Sequence, residues 1–168
     1  MDEIISAFVE ECRVSLKSDT GASGLEQVRH LLEQRLLKNE HVLRSYLSGS
    51  DDPERNVLYE DRELGFCVIA HRYPGPRQGR AHDHGPAWAI YGQVTGSIDM
   101  TEYAVVEPPK DGRPGKVKAT KSYTLEAGSA VVYPQGQVHS PNFPEIVRVI
   151  RIEGRNLEGV PRDKFVAV

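Results

Sequence analysis

The sequence predicts a mainly β protein, a sandwich or barrel, carrying an N-terminal helical cap over residues 1–50. Three observations predict it. Apolar residues recur at three- and four-residue steps up to Leu47; a polar cluster, Ser48-Gly49-Ser50-Asp51-Asp52-Pro53, then interrupts the chain. Beyond Asn56, short β-branched or aromatic runs alternate with glycines and prolines. The barrel is placed at 55–168, and the two parts are read as one integrated domain of a 168-residue chain.

In the cap, Ile4, Ile5, Phe8, Val9, Cys12 and Leu16 give the first helix its apolar stripe across Asp2–Lys17. Thr20-Gly21-Ala22-Ser23-Gly24 breaks it. Ser23 and Glu26 have the spacing of a capping box for a second helix through Leu25, Val28, Leu31, Leu32 and Leu36. A shorter turn spans His41–Leu47. Seven strands are expected at Asn56–Glu60, Gly65–Tyr73, Trp88–Val94, Ser97–Val106, Val117–Leu125, Ala130–Tyr133 and Ile146–Glu153. Seven short strands at this spacing favour a sandwich or barrel over an open α/β sheet. Pro108–Gly115 reads as a hairpin loop, because Asp111-Gly112 supplies the positive φ of a tight turn. The tail from Asn156 onward carries no pattern.

Composition excludes several classes. Lys plus Arg is 21 against 24 Asp plus Glu, a net charge of −3, which gives no electrostatic reason to expect nucleic acid or an anionic membrane as partner. No apolar run approaches a membrane span, and Met1-Asp2-Glu3-Ile4 lacks the basic and apolar regions of a secretory signal. Two cysteines, Cys12 and Cys67, make neither a disulfide framework nor a paired metal motif, so the expected compartment is the reducing cytoplasm. An oligomer is compatible with all of this.

The chemistry-bearing residues lie in two glycine-rich segments. In the first, Arg80 to Trp88 and on to Gly96, His82 and His84 share a strand face because side chains alternate with period two. The second runs from Gly128 through Pro134 and Gly136 to His139, which must face the first. A shared metal is the economical reason to gather imidazoles, and iron, zinc, copper or nickel would all suit them. His30, His41 and His71 read as ordinary surface or core residues.

These segments resemble the paired motifs of the cupin superfamily, whose fold is a double-stranded β-helix. Gly128, Pro134, Gly136 and His139 meet the second motif in full. His82, His84 and Gly96 meet the first, but Ala89 stands where many cupins place a glutamate ligand. The resemblance covers roughly residues 55–153. A three-histidine set without glutamate is the ligand set of the thiol dioxygenase branch, the cysteine dioxygenase-like cupins. There, Fe(II) binds a thiolate and O2, and the sulfur becomes a sulfinic acid. Arg55-Asn56-Val57-Leu58-Tyr59 resembles the arginine-containing start of that family's barrel, which implies that Arg55 holds a substrate carboxylate through the planar guanidinium fork.

The departures are equally plain. Ala89 also occupies the position of a crosslinked cysteine found in some members, and Ile146–Glu153 lacks the family's Ser-x-His-x-Tyr relay. On that strand Arg148 and Arg151 either face inward to bind an anion or face solvent. Trp88 either lines the pocket or packs in the core; it shares the nominal face of His84 if Gly85-Pro86 does not bulge the strand. Tyr91 is a further pocket candidate.

The leading expectation is a mononuclear non-haem iron dioxygenase acting on a small organic acid, a thiol first, with O2 as co-substrate. Another divalent transition metal could replace iron in such a ligand set. Two alternatives stand beside it. One is a lyase, isomerase or carbon–carbon-cleaving cupin acting on a sulfur-free substrate. The other is a metal-dependent binding protein without turnover.

Overall fold

The computed structural model describes residues 2–168. Three helices come first: α1 (Glu3–Ser18), α2 (Ala22–Arg35) and α3 (Glu40–Tyr46). Ten strands follow: β1 (Arg55–Glu60), β2 (Cys67–Tyr73), β3 (Arg77–Gln78), β4 (Ala89–Thr95), β5 (Ser97–Glu107), β6 (Gly115–Glu126), β7 (Ala130–Tyr133), β8 (Val138–Phe143), β9 (Val147–Glu153) and β10 (Phe165–Ala167). They form two five-stranded sheets, one ordered β1-β2-β9-β4-β7 and the other β10-β6-β5-β8-β3. The protein is thus mainly β, a double-stranded β-helix barrel with an N-terminal helical cap. All seven expected strands are present. The three that were not separately anticipated are the two-residue β3, the His139 strand β8, which Pro141 obscures, and β10 in the patternless tail.

Helix ends follow local chemistry. Asp2 accepts hydrogen bonds from the Ile4 and Ile5 amides, at 2.8 and 3.3 Å, and Asn39 serves α3 in the same way through His41 and Val42. The expected capping box does not form. Gly21 is the N-cap of α2 without a side-chain cap, and Ser23 lies inside the helix. Asp19 takes its place: its carboxylate accepts from the Gly21 and Gly24 amides at 2.7 and 3.1 Å.

The first sheet is covered on both sides. Val68, Ala70, Ile90, Ile150 and Ile152 pack against Ile5, Phe8, Val9, Cys12, Leu25, Val28 and Leu32 of the cap. From the opposite face, Tyr73, Ala89, Tyr91, Val147 and Val149 meet Ile98, Met100, Leu125 and Phe143 in the barrel interior. Two-sided burial explains the unbroken apolar run in β2, which a half-exposed strand would replace with alternation. Gly92 is needed where the cap comes closest: a Cβ there would lie 2.6 Å from Leu37 Cδ2 and 2.7 Å from Leu32 Cδ2. Both cysteines are free and buried, and no helix among the described residues is long and apolar enough to cross a membrane.

A buried carboxylate ties α1 to the barrel. Asp61 accepts from Arg13 Nε at 2.8 Å, from the Tyr59 hydroxyl at 2.9 Å, and from the Leu64 and Glu63 amides at 2.8 and 2.9 Å. Burial alone would raise its pKa, but the bonds from Leu64, Arg13, Tyr59 and Glu63 outweigh that and hold it below the usual carboxylate range. A lowered folded-state pKa means the stabilisation is present above the ordinary carboxylate pKa and is lost as pH falls toward the folded value. Asp61→Asn therefore lowers stability by roughly 1–3 kcal/mol at neutral pH, and its deficit against wild type shrinks as denaturant melts are moved below about pH 4.

Candidate metal centre

His82 and His139 are placed by the backbone. Each amide donates to the other's carbonyl at 2.9 Å, so the two residues sit directly opposite across an antiparallel bridge. His84, two residues on, brings its ring to the same point. Ring centroids are 4.6 Å apart for His82–His139, 5.2 Å for His84–His139 and 5.5 Å for His82–His84. One nitrogen from each ring falls in a cluster whose members lie within 4.8 Å of one another, and it contains no carboxylate or thiol.

The tautomers are set from behind. His82 Nδ1 donates to the Arg80 carbonyl at 2.8 Å and His139 Nδ1 to that of Gln137 at 3.2 Å, the same two-residue step back in both. This turns an Nε2 lone pair of each toward the cluster. His139 Nε2 and His84 Nδ1 are buried without a hydrogen-bond partner. Burial lowers the pKa of all three imidazoles, and the positive charge of Arg151 adds to the effect on each. Neutral, buried, unpartnered imidazole nitrogens meet what a divalent transition metal requires of its ligands.

Aromatic packing holds the cluster. Tyr133 stacks on His139 with centroids 3.7 Å apart and planes 10° apart, and its hydroxyl meets that of Tyr123 at 2.6 Å. Tyr91 stands edge-on to His139, and its hydroxyl lies 3.3 Å from His84 Nε2.

The cluster borders a cavity of about 560 Å³ whose wall includes His82, Tyr91, Tyr73, Phe143, Arg151 and Arg162. Arg151 is fixed there. It pairs with Glu153 at 2.8 Å, donates to the Tyr73 and Tyr91 hydroxyls at 3.3 and 3.2 Å, and keeps a buried, unpartnered Nε. Burial pushes the Tyr73 phenol up to about 12, so it stays protonated at neutral pH.

The other candidates are dispersed by strand parity. Arg148, three residues from Arg151 on β9, points to the opposite face, where Asp52 and the Gly49 carbonyl hold it at 3.0 and 2.7 Å. Arg55 does not line the cavity. It bonds Asn156 at 2.7 Å and Glu158 at 3.1 Å and reaches Glu153 at 3.6 Å, behind Arg151. Trp88 packs with the helical cap instead. Gly85, at φ +55°, and the turn closed by Ala87 N to His84 O reset the alternation between His84 and Trp88. Ala89 is fully buried and lies opposite Glu153 in register.

Sequence reasoning missed Tyr73, Arg77, Arg80, Arg162 and Lys164, all on the cavity wall. Tyr73 was detectable, since it ends an expected strand and shares the parity of His71. Arg162 and Lys164 lie in a tail without periodicity. His71 is buried and stacks on Tyr73 at 5.0 Å, outside the metal cluster.

No protein-family model matches the chain, and no curated protein matches it in sequence. Solved structures do resemble it. A cupin-2 domain-containing protein from Shewanella frigidimarina is 18% identical, with 68% of this chain and 90% of that one covered and a TM-score of 0.45. KdgF from Halomonas sp. is 14% identical, with 67% and 89% covered and a TM-score of 0.47. The DMSP lyase DddQ from Ruegeria pomeroyi is 17% identical, with 67% and 53% covered and a TM-score of 0.43.

Each of His82→Ala, His84→Ala and His139→Ala loses the bound ion on dialysis, while Tyr133→Phe, which keeps the stacked ring, retains it. Elemental analysis of the dialysed proteins is the check, and an undiminished metal content in all three histidine variants rules the centre out.

Proposed function

We propose that this protein is a mononuclear non-haem iron dioxygenase that oxidises a small organic thiol acid to its sulfinate. The observation that carries the reading is the convergence of three neutral imidazoles, without a carboxylate, at the edge of a cavity whose wall includes one of them, His82, together with Arg151. His82, His84 and His139 would hold the ion. Bound there, the metal supplies Lewis-acid polarisation and, as Fe(II), the redox partner that O2 requires. In the net reaction both oxygen atoms end on the sulfur, which passes from thiolate to sulfinate as the thiol proton is released.

The chain's own residues supply binding and orientation. Three uncharged ligands leave the ion's positive charge uncompensated, which favours an anionic ligand over a neutral one. Arg151 presents a second fixed positive group beside it, held by Glu153 and two tyrosine hydroxyls so that little reorganisation is needed on binding. Tyr91 spans the two parts of the site through its contacts with His84 and Arg151. Tyr73, Tyr91 and Phe143 give the cavity apolar wall area that limits water. Iron and the thiol rest on the resemblance of the ligand set to the thiol dioxygenase branch. The carboxylate-binding role implied for Arg55 passes to Arg151, because Arg151 is the one of the two that lines the cavity.

A second reading is favoured by one observation: β9 carries Arg151 where the thiol dioxygenases bear a Ser-x-His-x-Tyr relay. In it, the same residues bind a sulfur-free acid for Lewis-acid chemistry.

Protein loaded anaerobically with Fe(II) and offered a panel of thiol acids and sulfur-free analogues consumes O2 only with the thiol, forming sulfinate in step. Uptake with a sulfur-free acid alone keeps the iron and discards the thiol. No uptake at full iron occupancy moves the assignment to the non-oxidative reading or to binding without turnover. Arg151→Gln raises KM by about tenfold or more, as expected for loss of a charge-assisted contact, with metal content unchanged; Arg148→Gln leaves KM at the wild-type value.

A further inference from the structure

The patternless tail forms part of the cavity. Residues 162–166 lie on its wall, and β10 anchors them by pairing parallel with β6 in the register Phe165↔Gly115, Val166↔Lys116 and Ala167↔Val117. The Gly115 amide donates to the Lys164 carbonyl at 2.8 Å and the Val168 amide to that of Val117 at 2.9 Å. Gly115 permits the close approach: a Cβ there would lie 3.0 Å from the Phe165 ring. Gly85 does the same for Arg162, whose Cγ lies 3.3 Å from where a Cβ would stand. The Arg162 stem therefore crosses the turn just after His84, and its charge is felt at both His82 and His84.

The electrostatics of the cavity are lopsided. Arg77, Arg80, Arg151, Arg162 and Lys164 line it against a single acid, Asp163. Arg151 is offset by Glu153, and Arg77 lies 3.6 Å from Glu54. Arg80, Arg162 and Lys164 have no ion-pair partner among the described residues. One anionic group bound beside Arg151 would leave these rim cations unmatched. A guanidinium fork and an ammonium on the same wall of the cavity offer a carboxylate both planar pairing and a point charge.

We propose that the C-terminal strap makes the cavity selective for a small dicarboxylate, one end of which lies at Arg151 and the histidine centre while Arg162 and Lys164 hold the other. This deepens the proposed function and rests on it, since it takes for granted that an organic anion binds at that centre. The rim cations are exposed, so their contribution is modest and falls as salt screens it.

Titration calorimetry on the Fe(II)-loaded protein, kept anaerobic, tests this with succinate, glutarate and adipate against butyrate, valerate and caproate of matched length. At low salt the best diacid binds about fivefold tighter than its monoacid, the upper scale expected of an exposed, partly screened second charge contact. The preference shrinks as NaCl is raised. In the double variant Arg162→Gln/Lys164→Gln it falls to near unity, with the thermal melt unchanged. Equal affinity for diacid and monoacid in wild type overturns the strap's role and leaves the proposed function standing, provided Arg151→Gln weakens the monoacid. A preference that survives in the double variant also overturns it. Binding of neither series overturns the dicarboxylate reading, while the proposed function is judged separately by O2 uptake with the thiol acids.

Discussion

The two-sided burial of one β-strand governs where the arginines of this molecule's candidate site can go. β9 lies between β2 and β4 near the middle of a sheet, with a helical cap on one side and a barrel interior on the other. Its even-numbered residues, Arg148, Ile150 and Ile152, belong to the cap side; Val147, Val149, Arg151 and Glu153 belong to the interior. A one-residue slip would expose every one of these side chains to the opposite environment, so the register is pinned by the apolar positions alone. That pinning delivers Arg151 to the cavity and sends Arg148 to the linker acid Asp52. Neighbouring strands inherit the same division. Tyr91 of β4 lies across from Arg151, whereas Trp88, at even parity just before β4, meets the cap.

Burying Arg151 and Glu153 together is costly unless each is compensated, because a desolvated charge without partners costs several kcal/mol or more. The structure compensates both. Glu153 is 1% exposed, with Arg151 at 2.8 Å on one oxygen and Arg55 at 3.6 Å on the other. Arg151 has two tyrosine hydroxyls besides. Arg55 thus acts through Glu153, and its distance from the cavity does not detach it from the site. Cys67, whose Sγ is 3.9 Å from the Glu153 carboxylate, is pushed up to about 12 by burial and by that negative neighbour, which removes it as a nucleophile.

How much of this the sequence disclosed follows from how local each signal is. The histidine segments were legible because their glycines and prolines mark turns: Gly85, Gly128 and Gly136 all adopt positive φ, at +55°, +86° and +80°. The seven longer strands were legible from runs of apolar and β-branched residues. Trp88 stayed open between pocket and core because a period of two cannot be carried across the Gly85 turn, and it packs with the cap. The capping residue of α2 was misread because Asp19 reaches it from outside the expected box. Arg162 and Lys164 were invisible for a different reason. Three residues of parallel pairing on β6 fix them, and so short a strand leaves no periodicity to read.

Ala89 links these levels. Its position is fully buried, faces the interior and lies opposite both Tyr133 and Glu153. A carboxylate at that point would add a negative charge to an interior where Glu153 already occupies Arg151 and Arg55. It would compete for the same two guanidiniums, and each acid would be left less well compensated. With a methyl group there, the acid of the interior stays on β9, turned toward arginine, and the cluster facing the cavity is made of neutral imidazoles. Were a cation held there, the negative charge that balances it would have to be brought by a ligand. The five basic side chains around the cavity, against one acid, bias it in the same direction, toward an anion.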